Sequence, residues 1–113
     1  MDIEFELLLT AKLFLALVLG SIIGLERERD NQNVGIRTFA CICLAACLFV
    51  SIASHLTEDK SAVARILAAI ATGLGFIGAG IIFRDNTNMP KGLTTAAGLW
   101  ASSAVGIAVA LNM

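Results

Sequence analysis

The sequence predicts an all-α polytopic membrane protein, a bundle of four transmembrane helices, and three observations lead to that fold class. Hydrophobic residues make up 58% of the chain and charged residues 15%, whereas an ordinary soluble domain has roughly 45–50% and about 25%. The mean hydropathy is +0.85, yet a small soluble domain needs polar residues to cover its large relative surface. The charges also lie in short clusters, and the uncharged runs between them have the length of membrane-spanning helices.

Four helices are predicted in chain order, within a single transmembrane domain that covers residues 1–113. The first helix spans about 5–25, and an acidic rather than basic stretch precedes it, which argues against a cleaved signal peptide. It contains Lys12, which we expect to reach water or a partner because a lone charge in hydrocarbon is costly. The other three helices follow uncharged runs of 18 to 22 residues at 38–56, 66–83 and 92–113. Ser61 is predicted to cap the third helix.

Lysine and arginine are unevenly distributed between the two sides of the predicted bundle. The loops 26–37 and 84–91 contain five of these residues, whereas the opposite side contains Lys60, Arg65 and, near the first helix, Lys12. Because cytoplasmic loops carry an excess of Lys and Arg, we expect loops 26–37 and 84–91 to be cytoplasmic and both termini to be external.

Glycine, alanine and serine are predicted to form the packing faces, because helices in lipid associate through close contact of small residues. The third helix has small residues on two opposite faces, which predicts that it lies between two neighbours. The bulky face of the fourth helix, which includes Trp100, is predicted to meet lipid or another chain. The predicted packing glycines are Gly20, Gly24, Gly73, Gly75, Gly78, Gly80, Gly98 and Gly106.

Other motifs in the sequence are weak candidates for binding sites. Residues 73–78 match the dinucleotide pattern G-x-G-x-x-G, but they lie inside an uncharged run and no acidic residue follows at the required distance. The cysteines at 41, 43 and 47 are interpreted as packing residues. His55, near Glu58 and Asp59, leaves open a weak cation site or a solvated loop. No catalytic set, metal site or cofactor is predicted, so we expect no enzyme activity.

A polar cluster is predicted at the cytoplasmic face, because all four helices have an end there. Mixed charges at helix ends can pair with each other, which lowers the cost of holding them near hydrocarbon. Two interpretations stay open: interfacial anchoring of the helices, or a network that binds a partner, an ion or a lipid headgroup. The members of this polar cluster are Glu26, Arg27, Arg37, Thr38, Arg84, Asp85 and Thr94.

Six ordered strings between about residues 13 and 109 resemble the MgtC/SapB family. They are GLERE at 24–28, GIRT at 35–38, RI at 65–66, GLGFIGAGII at 73–82, Arg84, and GLTTAAGLW at 92–100. The resemblance implies that the functionally sensitive positions are Glu26, Arg37, Arg84, Asp85 and Thr94. Family members usually continue into a further helix, and many add a cytoplasmic ACT-like domain; this sequence ends at Met113 and is expected to lack both.

The resemblance also implies a function and a location. It implies a bacterial or archaeal plasma (inner) membrane protein linked to adaptation to low magnesium and, in pathogens, to virulence through intracellular survival. It implies a regulator that contacts other membrane proteins, the proton-driven ATP synthase having been proposed for the family. The alternative is a channel or carrier subunit for magnesium or another cation. Magnesium prefers oxygen ligands, and the three uncharged runs contain no Asp or Glu, which favours the regulator.

The expected partners are membrane lipids and a second copy of the chain. The net charge of −1 leaves no basic field for nucleic acid. A homodimer is predicted, with helix one or helix four at the contact, because the small residues there exceed what one thin bundle requires. Lys12 supports the dimer, since its candidate acidic partners, Glu4 and Glu6, could come from either copy.

Overall fold

Four helices build the bundle, as the uncharged runs predict. The structure is a computed structural model that describes residues 3–29, 34–84 and 89–113. Its helices are α1 (Ile3–Arg29), α2 (Ile36–Leu56), α3 (Lys60–Arg84) and α4 (Met89–Ala110). Each helix is long and apolar enough to cross a membrane. The prediction of an all-α polytopic membrane protein is therefore confirmed.

The helix ends differ from the sequence-based boundaries, because charged residues mark the edge of the membrane rather than the end of a helix. The first helix continues to Arg29 instead of ending near residue 25, since glutamate and arginine are good helix formers. Arg27 and Arg29 lie in its last turn, where a positive charge interacts favourably with the helix macrodipole.

The third helix begins at Lys60, six residues before the predicted start, because Asp59 caps it. Asp59 Oδ1 accepts hydrogen bonds from the Ser61 N–H at 3.0 Å and from the Ser61 hydroxyl at 2.9 Å. These bonds hold the pKa of Asp59 below its ordinary value. Ser61 was predicted as the cap, which is wrong: it donates to the cap instead.

The fourth helix is shifted towards the N-terminus, to Met89–Ala110 from the predicted 92–113. Pro90 lies in its first turn, where the missing N–H of proline costs nothing. At the other end Asn112 has a positive φ of 63°. The Met113 N–H donates to the Ala108 carbonyl at 2.9 Å and the Asn112 N–H to Val109 at 3.2 Å, which is the Schellman arrangement that ends a helix.

Helices α2 and α4 form the centre of the bundle and bury more of their residues than α1 and α3. Helix α1 packs against α2 and α4, whereas α3 packs mainly against α4. Between α2 and α3 an apolar groove of about 420 Å³ stays open. The core lies where α1, α2 and α4 meet, around Ala16, Cys43, Cys47, Val50 and Val109.

Three glycines bring α1 and α4 into backbone contact with α2. A Cβ built on Gly20 would lie 2.7 Å from the Phe39 carbonyl oxygen, and one on Gly24 would lie 2.8 Å from the Ile36 Cα. A Cβ on Gly106 would overlap the carbonyl oxygen of Cys43. Since backbone atoms occupy these positions, no larger residue fits without moving a helix.

Of the four predicted packing glycines of α3, Gly78 alone has a close neighbour. A Cβ on Gly78 would lie 3.2 Å from the Ala96 Cβ on α4, whereas one on Gly73, Gly75 or Gly80 would meet nothing within 4 Å. Helix α3 thus contacts α4 and, less extensively, α2, but not through Gly73, Gly75 and Gly80, which were predicted to pack. The physical reason is that the small face of α2 is already covered by α1 and α4, while its remaining face includes the exposed Phe49.

The glycine contacts generate a prediction about stability. Gly20→Ala and Gly106→Ala are each expected to lower the free energy of unfolding by about 1–3 kcal/mol, because the new methyl group meets backbone. Gly73→Ala and Gly80→Ala are the matched controls, since they add the same group in open space. Unfolding in detergent, followed by circular dichroism, measures the difference. Equal losses in both pairs would contradict the packing.

Candidate functional site

The helix ends that carry the predicted polar cluster lie together at one end of the bundle. Gly24, near the end of α1, approaches the start of α2, where its Cβ position is 3.0 Å from the Gly35 carbonyl oxygen. Gly98, in the third turn of α4, has its Cβ position 3.3 Å from the Phe39 ring. The Gly78 contact with Ala96 joins the last two turns of α3 to α4. The described ends of these helices therefore lie at the same end of the bundle.

Glu26 and Arg27 face different surroundings although they are neighbours in the last two turns of α1. The Arg27 side chain is 16% exposed and the Glu26 side chain 78% exposed, with Arg27 Nη2 3.5 Å from Glu26 Oε1. A guanidinium withdrawn from water is held by its hydrogen bonds and charge partners. The arrangement thus directs the Glu26 carboxylate outwards and holds the Arg27 side chain against the protein.

Arg37, Thr38 and Thr94 complete the described part of the polar cluster. All three are exposed, the first two in the opening turn of α2 and Thr94 in the second turn of α4. Asp85 and the side chain of Arg84 lie outside the part of the chain that the structure describes. The structure therefore places five of the seven predicted residues at this end, with one carboxylate, one guanidinium and two hydroxyl groups directed outwards.

Phe39 supports this end of the bundle from within, and sequence reasoning overlooked it. Its side chain is fully buried, and both Gly24 of α1 and Gly98 of α4 pack against it. Its carbonyl oxygen accepts a hydrogen bond from the Ser102 hydroxyl at 3.2 Å. The available signal was spacing, because Phe39, Cys43 and Cys47 are four residues apart and so share one face of a helix.

This end can bind other molecules through exposed donors and an exposed carboxylate. Guanidinium and hydroxyl groups donate hydrogen bonds to carboxylate, phosphate or backbone oxygens, and Glu26 accepts them. Within the described residues, no three His, Cys, Asp or Glu side chains lie close enough together to hold a metal ion. These groups are accessible at one end of the bundle.

At the opposite end of the bundle, the described contacts concern two points that the sequence left open: the partner of Lys12 and the surroundings of His55. Lys12 Nζ donates to the carbonyl oxygen of Ala110 at 2.9 Å, so its described partner is the end of α4 rather than Glu4 or Glu6. His55 stacks on Phe5 with ring centroids 3.8 Å apart. Asp59 Oδ1 is engaged in capping α3, and within the described residues no group of three His, Cys, Asp or Glu could hold a metal ion.

The sequence model of the MgtC family matches residues 13–113 of the chain. Protein MgtC of Brucella suis is 44% identical over 92 residues, which cover 81% of this chain and 38% of that protein. Protein MgtC of Salmonella typhimurium is 40% identical over 100 residues, covering 88% of this chain and 42% of the relative. No solved structure matches the chain.

A further relative, from Haemophilus influenzae, is named only as an uncharacterized protein. It is 39% identical over 111 residues, covering 91% of this chain and 47% of its own length. The chain thus spans less than half the length of each of these curated relatives.

Proposed function

The chain belongs to the MgtC family, and from this premise we propose that it is a non-enzymatic regulatory protein of the inner membrane that acts through contacts with other membrane proteins. The resemblance to the family links this role to adaptation to low magnesium and, in pathogens, to intracellular survival. The polar cluster is the proposed contact surface, and the proton-driven ATP synthase is a candidate partner.

The observation that carries this proposal is the contrast between a closed bundle interior and an exposed polar end. Gly20, Gly24 and Gly106 hold α1 and α4 at backbone distance from α2, and the side chains between them are apolar or small and buried. Transport of a hydrated cation requires a wet path with oxygen ligands. The outward-directed Glu26 and Arg37, by contrast, are accessible to another protein.

We also propose that the chain forms a homodimer, with the contact on α3 rather than on α1 or α4. The small residues of α1 and α4 that suggested a dimer, Gly20, Gly24, Gly98 and Gly106, all pack against α2 of the same chain. Lys12 likewise has a partner within the chain. Ala69 and Gly73 of α3 are exposed and four residues apart, a spacing that brings helices together in membranes. We therefore place the homodimer contact on α3.

If the dimer contact lies on α3, a bulky side chain on the open face of this helix should separate the two copies of the chain. Gly73→Ile is expected to shift the protein towards the monomer, because a branched side chain keeps the partner helix at a distance. Gly75→Ile is the control, since Gly75 is equally open but lies towards the α4 side of α3. Single-molecule photobleaching in nanodiscs counts the copies. A monomeric parent protein would contradict the dimer, and an unchanged dimer in Gly73→Ile would contradict this contact.

The proposed orientation, with the polar cluster in the cytoplasm, predicts the accessibility of single cysteines. Cys43 and Cys47 are fully buried, so replacing the exposed Cys41 by alanine provides a suitable background. In intact spheroplasts a membrane-impermeant maleimide should label Glu58→Cys and leave Glu26→Cys unlabelled until the membrane is permeabilised. Labelling of Glu26→Cys in intact spheroplasts would reverse the orientation.

The regulatory role predicts that growth at limiting magnesium requires the polar cluster, although the protein transports nothing by itself. The double variant Glu26→Gln and Arg37→Gln should lose most of the growth that the parent chain supports at limiting magnesium, because the recognition charges are gone. Glu58→Gln with Lys60→Gln makes the same charge changes at the other end and should retain growth. Equal membrane levels and melting temperatures of the variants exclude misfolding as the cause.

Magnesium flux separates the proposal from its alternative. Proteoliposomes that contain only the parent chain should take up no more magnesium than empty vesicles do. Uptake above that background would support a cation channel or carrier and overturn the regulatory role.

A further inference from the structure

A notch opens at the end of the bundle that lies opposite the polar cluster. Its walls come from α1 and α2, and α4 forms its floor, with a volume of about 220 Å³. The notch exists because α4 ends early: its last residue, Ala110, is level with Lys12, nine residues or about 14 Å along α1 from Ile3. The lining residues of this Lys12 notch are Phe5, Leu8, Leu9, Lys12, Ser51, Ser54, His55 and Ala110.

The Lys12 ammonium is incompletely neutralised by its described neighbours. It is partly buried and donates one hydrogen bond, to the Ala110 carbonyl oxygen at 2.9 Å, whereas an ammonium group has three N–H donors. The end of α4 contributes roughly half a negative charge through its macrodipole. The ion pair found among the described residues joins Arg27 to Glu26, and no carboxylate of those residues lies within 4 Å of Lys12. A positive charge at this depth therefore attracts an anion.

The other polar groups of the notch are also suited to an anion. Ser51 and Ser54 present hydroxyl groups from one face of α2, and the Ser51 hydroxyl lies 4.0 Å from Cys47 Sγ, with which it can act as donor or acceptor. His55, which lies one turn after Ser51 on α2, is exposed and is held in place by its stacking on Phe5. Ammonium, hydroxyl and imidazole N–H groups all donate hydrogen bonds to negatively charged oxygens.

The remaining wall of the notch is apolar. Leu8 is exposed and, with Phe5 and Leu9, lines the α1 side. The notch therefore offers a cationic, hydrogen-bonding base next to an apolar wall. A phosphate group attached to acyl chains likewise has a charged part next to an apolar part.

We propose that the Lys12 notch binds a phosphate group, with the phosphate oxygens on Lys12, Ser54 and His55. This chemistry is found in the headgroup of an anionic phospholipid and in free inorganic phosphate. The site lies at the opposite end from the polar cluster, so it goes beyond the proposed regulatory function and does not depend on it.

Lipid retention tests the site with the whole chain. Delipidated protein in mild detergent is titrated with phosphatidylglycerol, with diacylglycerol as the lipid that lacks phosphate, and native mass spectrometry counts the bound molecules. Phosphatidylglycerol should bind the parent chain, and Lys12→Gln should weaken that binding about tenfold, because a charge-assisted hydrogen bond is lost. Lys60→Gln makes the same charge change outside the notch and should bind like the parent.

A phosphorus NMR titration with inorganic phosphate distinguishes the two sources. Phosphate binding that Lys12→Gln abolishes, without retention of phosphatidylglycerol, would assign the site to the free ion. Equal retention of diacylglycerol and phosphatidylglycerol, or unchanged binding of both phosphate probes in Lys12→Gln, would overturn the proposal. So would the failure of both probes to bind the parent chain.

A second variant keeps the test decisive if Lys12→Gln fails to fold. Ser54→Ala combined with His55→Leu alters only exposed side chains and removes two proposed donors. It should weaken phosphatidylglycerol binding at least about threefold, with circular dichroism unchanged. Binding equal to that of the parent would overturn the proposal.

Discussion

The close contact of α1 and α4 with the backbone of α2 is the constraint on which the rest of the structure depends. Lipid tails are as apolar as leucine, so helices in a membrane gain little from burying apolar side chains and depend on van der Waals contact at short range. Glycine at 20, 24 and 106 allows that contact, although glycine is a poor helix former. The buried hydrogen bond from Ser102 to the Phe39 carbonyl oxygen adds to the same interface.

This contact also decides what the remaining surfaces can do. Because α1 and α4 occupy the small face of α2, α3 is left to pack on α4, where Gly78 meets Ala96 and Trp100 donates to the Ala71 carbonyl oxygen. The outer face of α3 and the groove beside α2 stay open as a consequence. At the polar end, Glu26 and Arg27 stand beside the start of α2 only because Gly24 lets α1 approach Gly35 and Ile36.

The hydrogen bond from Lys12 to Ala110 joins an ammonium group to a carbonyl oxygen. Each of these two groups would be costly to bury without a partner. A helix that ends inside a bundle leaves carbonyl oxygens without intrahelical donors, and in α4 the Schellman bonds use those of Ala108 and Val109. Lys12 donates to the next carbonyl oxygen along the helix, that of Ala110. A lysine that interrupts the apolar run of α1 thus closes the end of α4 and gives the neighbouring notch its positive charge.

The sequence by itself determined the fold class and the number and order of the helices, because hydrocarbon requires long uncharged runs whatever their packing. It also placed the polar cluster at common helix ends, since short loops force neighbouring helices to be antiparallel. It misplaced the start of α3, because the predicted boundary followed the charge of Arg65, whereas the helix begins directly after Asp59, whose side chain caps it. Only the tertiary structure decided which glycines touch a neighbour and which partner Lys12 finds. Small residues line several faces of α1, α3 and α4, and the pairing of faces depends on three-dimensional fit, which the spacing of residues along one helix does not contain.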